Sequence, residues 1–262
     1  MSNKPKAKAY HTAVSAYDEA TVSSMVCEDY VQHNPRVPTG RDAFVSFLPK
    51  LREHETKIEN IRMLADGPYV IMHHVWHNAT PFGFPQSAAF HIIRFDGEGL
   101  IAEHWNVMAE LSGTNPSGRT LVDGERTVTD IDATTTNRKR VRGWVDRLIE
   151  AAPVQMPRVM GAHCQPDYVQ HNPVVADGVK GLSDAVDSGK LSLDYRRLHA
   201  LFCEGNFALS IAEGLHNGVN SALYDLVRLA DGKIAEHWSI YQEVPTENLA
   251  NDNSMFGFID SI

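Results

Sequence analysis

One heptapeptide occurs twice in this chain and constrains its architecture more than any other feature. The sequence Asp-Tyr-Val-Gln-His-Asn-Pro stands at residues 29–35 and returns unchanged at residues 167–173. A second motif, Ile-Ala-Glu-His-Trp, stands at residues 101–105 and again at residues 234–238. The two offsets, 138 and 133 residues, nearly agree. Two rare motifs that recur in one order predict a duplicated domain.

The repeat also sets the domain boundaries. We expect a first copy at residues 1–111, a linker at 112–136 that is rich in Ser, Thr, Gly, Asp and Pro, and a second copy at 137–262 that includes a C-terminal tail. Each copy is long enough to bury its own core. The apolar residues near the end of the tail are Met255, Phe256, Phe258 and Ile259. Because they are too hydrophobic to lie free in water, we expect the tail to dock on a domain surface.

Hydrophobic periodicity predicts helices first and strands second in each copy, which is an α+β arrangement. In the first copy a helical pattern runs up to the heptapeptide, and Asn34 should end this helix because it precedes a proline. The period then changes to two and predicts four antiparallel strands, at residues 58–64, 69–78, 87–95 and 100–108. The second copy repeats the pattern, with strands near residues 196–203, 207–216, 221–229 and 233–242.

Composition restricts the classes of partner. The formal net charge of -9 argues against nucleic acid and against an anionic membrane surface, since both require clustered Lys and Arg. No stretch approaches the 18 or so apolar residues of a transmembrane helix, so we expect no membrane association. Three cysteines without paired or metal-type spacing predict a reduced, cytoplasmic setting; they are Cys27, Cys164 and Cys203.

Asp225 is the residue that alternation singles out for chemistry. In its predicted strand, Leu223, Asp225, Val227 and Leu229 share one face, so the aspartate is the single charge among aliphatic side chains. An isolated carboxylate there pays a desolvation penalty and becomes a candidate acid or base near neutral pH. The alternative is that strand twist carries Asp225 to a rim or to a pairing arginine.

The first copy has a histidine at the matching place. His91 shares its face with Ala89, Ile93 and Phe95. A polar position is therefore kept while its chemistry changes. We do not expect the two copies to be equivalent catalysts.

The other repeated histidines leave alternatives open. His33 and His171, within the heptapeptides, either satisfy carbonyls at a helix end or take part in proton transfer beside an acid. In the Ile-Ala-Glu-His-Trp strands, strict alternation places each tryptophan on the face of the isoleucine. We therefore expect Trp105 and Trp238 to form core or pocket wall. The neighbouring histidines, His104 and His237, should then lie on the opposite face.

A cluster of three histidines stands in the second predicted strand of the first copy. His73 and His77 share a face and His74 lies between them. Their spacing matches no common ligand pattern. We therefore predict no metal site.

The repeated motifs resemble those of a known family. Tyr-Val-Gln-His-Asn-Pro, a glycine shortly after it at Gly40 or Gly178, and a later strand that reads Asp-Gly-Lys-Ile-Ala-Glu-His-Trp in the second copy resemble the SnoaL-like polyketide cyclases of the nuclear transport factor 2-like superfamily. The resemblance covers nearly the whole chain, once per half. It implies two tandem cone-shaped α+β barrels, each a curved antiparallel sheet around helices with a deep apolar pocket. Because members are commonly dimers, it also implies an internal pseudo-dimer of the two halves, and further homo-oligomerisation is left open.

The resemblance also implies a chemistry. Cyclases of this type close a ring by an intramolecular aldol step without metal or organic cofactor, and an aspartate serves as general acid/base next to a carbonyl. That role maps onto Asp225, within Tyr-Asp-Leu-Val-Arg at residues 224–228, with His171 as its partner. The residues assigned to the substrate pocket are Trp238, Tyr168, His33, His91, Trp105 and His73.

Two functions follow as alternatives. The first is a cofactor-independent cyclase or isomerase acting on a small apolar, oxygenated, polyketide-like molecule. The second is a non-catalytic small-molecule binding module on the same fold, which the loss of the acid in the first copy favours. A third, epoxide hydrolysis, would need an Asp-Arg-Asp-like cluster that the sequence does not assemble.

Overall fold

The computed structural model describes residues 2–258 and divides into two compact units. The first unit contains the described residues up to Leu111 together with Pro245–Gly257, and the second contains Ser112–Val244 and Phe258. The tail that follows the second sheet therefore packs with the first unit. The segment that we expected to be a linker packs with the second unit. Ile259, which we assigned to the apolar cluster of the tail, lies outside the described residues.

The first domain is an α+β layer with one five-stranded sheet. Its helices are α1 (Lys4–Ala16), α2 (Glu19–Met25), α3 (Arg41–Val45) and α4 (Leu48–Glu53). Its strands are β1 (Val26–Gln32), β2 (Lys57–Asp66), β3 (Tyr69–His77), β4 (Gln86–Phe95) and β5 (Ile101–Glu110). The sheet order is β1-β5-β4-β3-β2, in which β1 is parallel to β5 and the other pairs are antiparallel.

The second domain repeats this topology. Its helices are α5 (Thr134–Glu150), α6 (Met156–His163) and α7 (Gly178–Asp187). Its strands are β6 (Cys164–Gln170), β7 (Leu193–Glu204), β8 (Phe207–His216), β9 (Val219–Ala230) and β10 (Lys233–Glu243). The order β6-β10-β9-β8-β7 matches the first sheet, again with one parallel pair at the edge. The predicted tandem α+β architecture is thus confirmed, with two open, mixed sheets instead of closed antiparallel barrels.

Residues 29–32 of the heptapeptide lie in strand β1, which corrects our expectation that the heptapeptide ends a helix. The first helical segment stops at Ala16, and α2 restarts after Asp18, whose carboxylate accepts a hydrogen bond of 3.0 Å from the Thr21 backbone. From Val26 the chain pairs with β5 and buries Tyr30 and Gln32 on one face. Aromatic and β-branched residues fit a pleated surface, and the free edge of β5 offers backbone partners that the sequence pattern does not reveal.

The apolar face predicted for β9 lies in the core. Leu223, Val227 and Leu229 belong to the buried cluster under the helices of the second domain. Ala89, Ile93 and Phe95 hold the same place in the first domain. The faces predicted for Asp225 and His91 are therefore confirmed as the core faces of their sheets.

A β-bulge in the last strand of each sheet shifts the pairing register by one residue. In β10, Ile234 pairs with Leu229 whereas Glu236 pairs with Arg228, so Ala235 is an extra residue. In β5 the same shift leaves Ala102 as the extra residue between two consecutive pairs. One extra residue reverses the face of every side chain that follows it.

The bulge overturns our assignment of faces in the Ile-Ala-Glu-His-Trp strands. Ile234 belongs to the core cluster, but Trp238 does not, because the bulge separates them. His237, not Trp238, points to the core side, where it contacts Asp225. The first domain follows the same pattern, with His104 on the core side and Trp105 on the other.

Two further features concern the whole described chain. Among residues 2–258, no helix combines the length and the apolar character needed to cross a membrane. The three cysteines are buried free thiols.

Candidate active site

Asp225 lies in the middle of β9 with its side chain fully buried. Three side chains donate hydrogen bonds to its carboxylate. The Tyr195 hydroxyl lies 2.9 Å from Oδ2, and the Tyr241 hydroxyl and His237 Nε2 lie 3.0 and 2.9 Å from Oδ1. A carboxylate that is removed from water needs hydrogen-bond donors around it. None of the three donors here carries a formal positive charge when His237 is neutral.

The protonation pattern of His237 follows from its neighbour Gln170. The Gln170 Oε1 atom accepts hydrogen bonds of 2.9 Å from the backbone N–H groups of His171 and Asn172, which fixes the orientation of the amide. Gln170 Nε2 must then donate to His237 Nδ1, at 3.0 Å. His237 therefore carries its proton on Nε2 and donates it to Asp225.

The two tyrosines are held in the protonated form. Burial, followed by the charge of the neighbouring Asp225, raises the pKa of both Tyr195 and Tyr241 well above the ordinary value. Both hydroxyls therefore remain hydrogen-bond donors at physiological pH. They are the groups that a developing oxyanion would require.

These three donors face a small pocket between the sheet and the helices of the second domain. The cavity volume is about 10 Å³, room for about one water molecule. Tyr195, His237 and Tyr241 line it, while Asp225 lies directly behind them. The other walls are mainly apolar side chains from the helices and the sheet, among them Trp144, Leu148, Met156, Met160, Leu182 and Leu193.

The first domain repeats the hydrogen bonds from the glutamine to the histidine, but the final acceptor differs. Gln32 Oε1 accepts a hydrogen bond of 2.9 Å from the Asn34 backbone, so Gln32 Nε2 donates to His104 Nδ1 at 3.2 Å. His104 Nε2 then donates to Nδ1 of His91, at 2.8 Å. His91 thus takes the place of Asp225 as the acceptor. An imidazole replaces the carboxylate in an otherwise matching arrangement.

The first domain lacks the tyrosine donors. Strand pairing places Ile58 where the second domain has Tyr195, and Met108 where it has Tyr241. Both residues line the pocket of the first domain, together with His91, and its cavity volume is about 30 Å³. This pocket is larger, apolar side chains take the places of the two hydroxyls, and the imidazole of His91 lines its wall.

The opposite face of β10 carries a second repeated cluster, which we call the histidine latch: His171, Glu236, Arg228 and Trp238. His171 Nε2 and Arg228 Nε each lie 2.9 Å from one carboxylate oxygen of Glu236. The Trp238 ring stacks on His171, with centroids 4.7 Å apart. The His171 Nδ1 atom donates to the Thr120 carbonyl at 2.8 Å. Both ring nitrogens are therefore engaged away from Asp225.

The first domain has an equivalent latch, formed by His33, Glu103, Arg94 and Trp105. His33 Nε2 lies 2.9 Å from Glu103, Arg94 bonds the same carboxylate, and the His33 and Trp105 rings stack at 4.3 Å. His33 Nδ1 donates to the Ser254 carbonyl of the tail at 2.7 Å. In both domains the latch ties the heptapeptide strand to the last strand and to a packed segment.

The predicted site residues fall into three groups. Asp225 and His91 lie on the core side beside the two pockets. His171 and Trp238, like His33 and Trp105, lie in the latches, so the predicted partnership of His171 with Asp225 is not formed. The remaining two lie elsewhere: Tyr168 is buried in the second core and His73 contacts Arg62 Nη1 at 2.7 Å.

Sequence reasoning missed three residues that contact Asp225. His237 was placed on the wrong face because the bulge at Ala235 carries no clear signal. Tyr195 comes from β7, which pairs with β8 and not with β9. Tyr241 could have been found, because it follows His237 at a spacing of four and so shares its face.

Comparison with known proteins gives one family match and several similar solved structures. A family model described as SnoaL-like domain matches residues 7–104, and no curated protein matches the chain. Similar solved structures include an uncharacterized cystatin fold protein from Novosphingobium aromaticivorans, with 24% identity, 41% of this chain and 98% of that chain covered, and a TM-score of 0.36. Another is SalBIII, an epoxide hydrolase/cyclase-like enzyme described in pyran ring formation in the polyether salinomycin, with 19% identity, 41% and 90% covered, and a TM-score of 0.35. A third is a SnoaL-like protein of unknown function from Burkholderia thailandensis, with 14% identity, 41% and 93% covered, and a TM-score of 0.36. Residues 7–104 therefore match a SnoaL-like domain, and the second domain repeats the strand order of the first.

Proposed function

We propose that the second domain catalyses proton transfer next to a carbonyl group of a small, apolar, oxygenated molecule, as a step of ring closure or isomerisation. Asp225 is the proposed base. The observation that carries the proposal is the fully buried carboxylate, held by two tyrosine hydroxyls and one neutral imidazole that face a mainly apolar pocket.

The arrangement supports enolisation. In the proposed step, the substrate carbonyl displaces the tyrosine hydroxyls from Asp225 and accepts their hydrogen bonds. The freed carboxylate removes a proton from the adjacent carbon, and the negative charge moves to the carbonyl oxygen. Tyr195 and Tyr241 stabilise that oxyanion because their raised pKa keeps them protonated. Return of the proton from Asp225 to another atom completes an isomerisation or, after attack on a second carbonyl, an aldol closure.

His237 is proposed as a positioning residue. Its Nε2–H group holds the carboxylate from one side, and Gln170 fixes the tautomer that does so. Loss of the Gln170 contact would allow the other tautomer, which presents a lone pair to the carboxylate. The proposed role of His171 is likewise structural, within the latch.

A binding module is the second candidate, and one observation favours it. Every donor around Asp225 is already matched to a carboxylate oxygen, and the pocket is small. Such a network is also what a rigid, non-reactive pocket floor requires. The two candidates differ in whether a bound ketone exchanges its α-protons.

The test is an exchange experiment with the full chain. A panel of small apolar ketones and diketones is incubated with the protein in D₂O, and the loss of α-proton signals is followed by NMR. We expect exchange above the buffer rate for at least one compound, and we expect it to return to the buffer rate with Asp225→Asn. Asp167→Asn, which removes an exposed carboxylate from β6, is the matched control and should exchange like the parent.

Two outcomes would reject proton transfer by Asp225. One is exchange that persists in folded Asp225→Asn protein. The other is binding of ketones from the panel, seen by line broadening, with no exchange of any of them in the parent protein. The second result would support the binding module.

A further inference from the structure

Three buried histidines meet in the first domain, apart from the proposed base. His11 comes from α1, His74 from β3 and His91 from β4. One nitrogen of each ring can be chosen so that the three atoms all lie within 4.8 Å of one another. The rings of His11 and His74 meet edge to face at 4.4 Å, and those of His74 and His91 lie 4.9 Å apart.

These histidines have ring nitrogens that find no hydrogen-bond partner among the described residues. They are Nδ1 of His11, both nitrogens of His74 and Nε2 of His91. The residues themselves are at most 3% exposed. Unpaired buried polar atoms are rare, and an ion or a water is one of their few explanations. Four such atoms in one cluster therefore point to a ligand.

We propose that His11, His74 and His91 form a binding site for a divalent transition-metal ion, with Zn²⁺ as the best match. The site is distinct from the carboxylate network of the second domain, and it revises our sequence-based prediction that no metal is bound. Of the histidines named in that prediction, only His74 takes part.

The geometry requires only a modest adjustment. Two imidazole nitrogens bound tetrahedrally to one Zn²⁺ lie about 3.3 Å apart, since each Zn–N bond measures about 2.0–2.1 Å. The observed separations, up to 4.8 Å, close to this value by rotation of the rings and small shifts of the side chains. Imidazole is a preferred ligand for Zn²⁺, Cu²⁺, Ni²⁺ and Fe²⁺.

The ligands are held in the neutral form that metal binding requires. Burial lowers the pKa of His11 to about 4 and that of His74 and His91 well below the ordinary value. None of the three therefore has to lose a proton to coordinate a metal at physiological pH. The geometry of the cluster, not this shift, identifies the site.

The outer contacts of His91 permit coordination through Nε2. In the metal-free network, His104 Nε2 donates to His91 Nδ1, which leaves the His91 proton on Nε2. With metal bound, both rings change tautomer: His91 Nδ1 donates to His104 Nε2, and His104 Nδ1 donates to the Tyr30 hydroxyl, 3.0 Å away. This change requires Gln32 Nε2 to give up its contact with His104 Nδ1 while it keeps its hydrogen bond to the Tyr30 hydroxyl. No proton is gained or lost. Hydrogen bonds of this kind orient the ligands of most protein metal sites.

The open position faces the pocket. His11 and His91 line the cavity of about 30 Å³, together with Asn106 and mainly apolar side chains. Three protein ligands plus an accessible fourth position is the pattern of catalytic zinc sites, whereas structural sites have four protein ligands. Because all three ligands are uncharged, the fourth ligand should be an oxygen donor that carries negative charge, such as hydroxide, an enolate or a carboxylate.

The second domain cannot form this site. Strand pairing places Ala212 where the first domain has His74, and Asp225 replaces His91. The pocket of the second domain therefore lacks these imidazoles, and the pocket of the first domain lacks the carboxylate. We therefore expect one metal ion per chain.

The test measures metal binding by the full chain, prepared without a histidine tag and treated with a chelator. Zn²⁺ affinity is measured by competition with a chromophoric chelator, and Co²⁺ is added separately to record its visible spectrum. We expect one tight Zn²⁺ per chain and the intense visible absorption of four-coordinate Co²⁺. His74→Gln should weaken Zn²⁺ binding by more than about 100-fold. Loss of a hydrogen-bond partner behind a ligand weakens metal binding by up to about 100-fold, and loss of the ligand itself should cost more.

Controls separate this site from surface histidines and from unfolding. His77→Gln removes a half-exposed histidine from the same strand and should bind like the parent. Circular dichroism shows whether His74→Gln is folded. If that variant is unfolded, the Co²⁺ spectrum and the Zn²⁺ stoichiometry of the parent decide.

Three results would overturn the proposal. The first is a weak, six-coordinate type of Co²⁺ spectrum in the parent. The second is Zn²⁺ affinity that His77→Gln weakens as much as His74→Gln does. The third is a parent protein whose thermal unfolding is unchanged by saturating Zn²⁺, because a ligand of the native state must raise the midpoint.

Discussion

His237 donates a hydrogen bond of 2.9 Å to the carboxylate of Asp225, and this contact is the point at which the two domains diverge. In the first domain the corresponding donor, His104, meets the imidazole of His91 at 2.8 Å. The glutamine that fixes the tautomer is present in both domains. One fold therefore holds a carboxylate in one pocket and a cluster of imidazoles in the other.

Tyr195→Phe should lower the stability of the second domain. The substitution removes a donor from a buried carboxylate, and hydrogen bonds to charged groups contribute about 1.5–3 kcal/mol. The free energy of unfolding, measured by urea denaturation at pH 7, should fall by that amount. Tyr168→Phe is the control, because its hydroxyl contacts the neutral Gln170, and it should cost about 0.5–1.5 kcal/mol. Equal losses in the two variants would mean that Asp225 is not charged in the folded protein.

Acidification should destabilise the first domain at pH values above those at which its carboxylates become protonated. Burial lowers the pKa of His104 to about 3 and that of His11 to about 4, whereas an exposed histidine titrates near 6.5. The unfolded chain therefore binds protons that the folded domain does not, and stability is full above pH 6.5 and lost as the pH falls towards 4. His11 alone accounts for roughly 2 kcal/mol between pH 7 and pH 5.

Hydrogen–deuterium exchange measures this effect for each domain. Amides of β3 and β4, which carry His74 and His91, should lose protection between pH 7 and pH 5 after correction for intrinsic exchange rates. Amides of β8 and β9, with Ala212 and Asp225 at those positions, serve as the internal comparison and should lose less. Unchanged protection in β3 and β4 would show that these imidazoles are hydrated.

Glu236→Gln tests the latch of the second domain. Burial opposes ionisation of Glu236, but the hydrogen bonds from His171 and Arg228 outweigh it and lower its pKa. The carboxylate therefore stabilises the fold at neutral pH, and this contribution is lost as the pH falls through its lowered pKa. At pH 7 we expect a loss of about 1–3 kcal/mol in the free energy of unfolding, because Arg228 and His171 lose their shared acceptor.

Glu213→Gln is the matched control for the latch. Glu213 also contacts a histidine at 2.9 Å, His199, but its side chain is 36% exposed. Exposed ion pairs contribute less than about 1 kcal/mol, so this variant should differ little from the parent. If both variants lost the same free energy of unfolding, burial of the latch would make no difference to its contribution to stability.

Much of the architecture could be predicted because its signals are local. The heptapeptides at residues 29–35 and 167–173 revealed the duplication, and alternation around Asp225 gave the correct core face. The change of period from near four to two located four strands per domain. These features need only neighbouring residues, so they survive without knowledge of the tertiary contacts.

The errors arise where a single residue or a distant contact decides the outcome. The extra residue Ala235 reverses the faces of His237 and Trp238. An alanine within a strand pattern does not predict a bulge. The heptapeptide becomes a strand because β5 has a free edge. Tyr195 reaches Asp225 from β7, two strands away in the sheet, and no sequence spacing records that contact.

The proton-transfer rate of Asp225→Asn is the measurement that tests the account most directly. General base catalysis by a positioned group contributes about 10²- to 10⁴-fold, so the α-proton exchange rate of a reactive ketone should fall by that factor. Asp167→Asn should keep the parent rate, and circular dichroism should show that both variants are folded. A folded Asp225→Asn protein that exchanges as fast as the parent would contradict the assignment of Asp225 as the base.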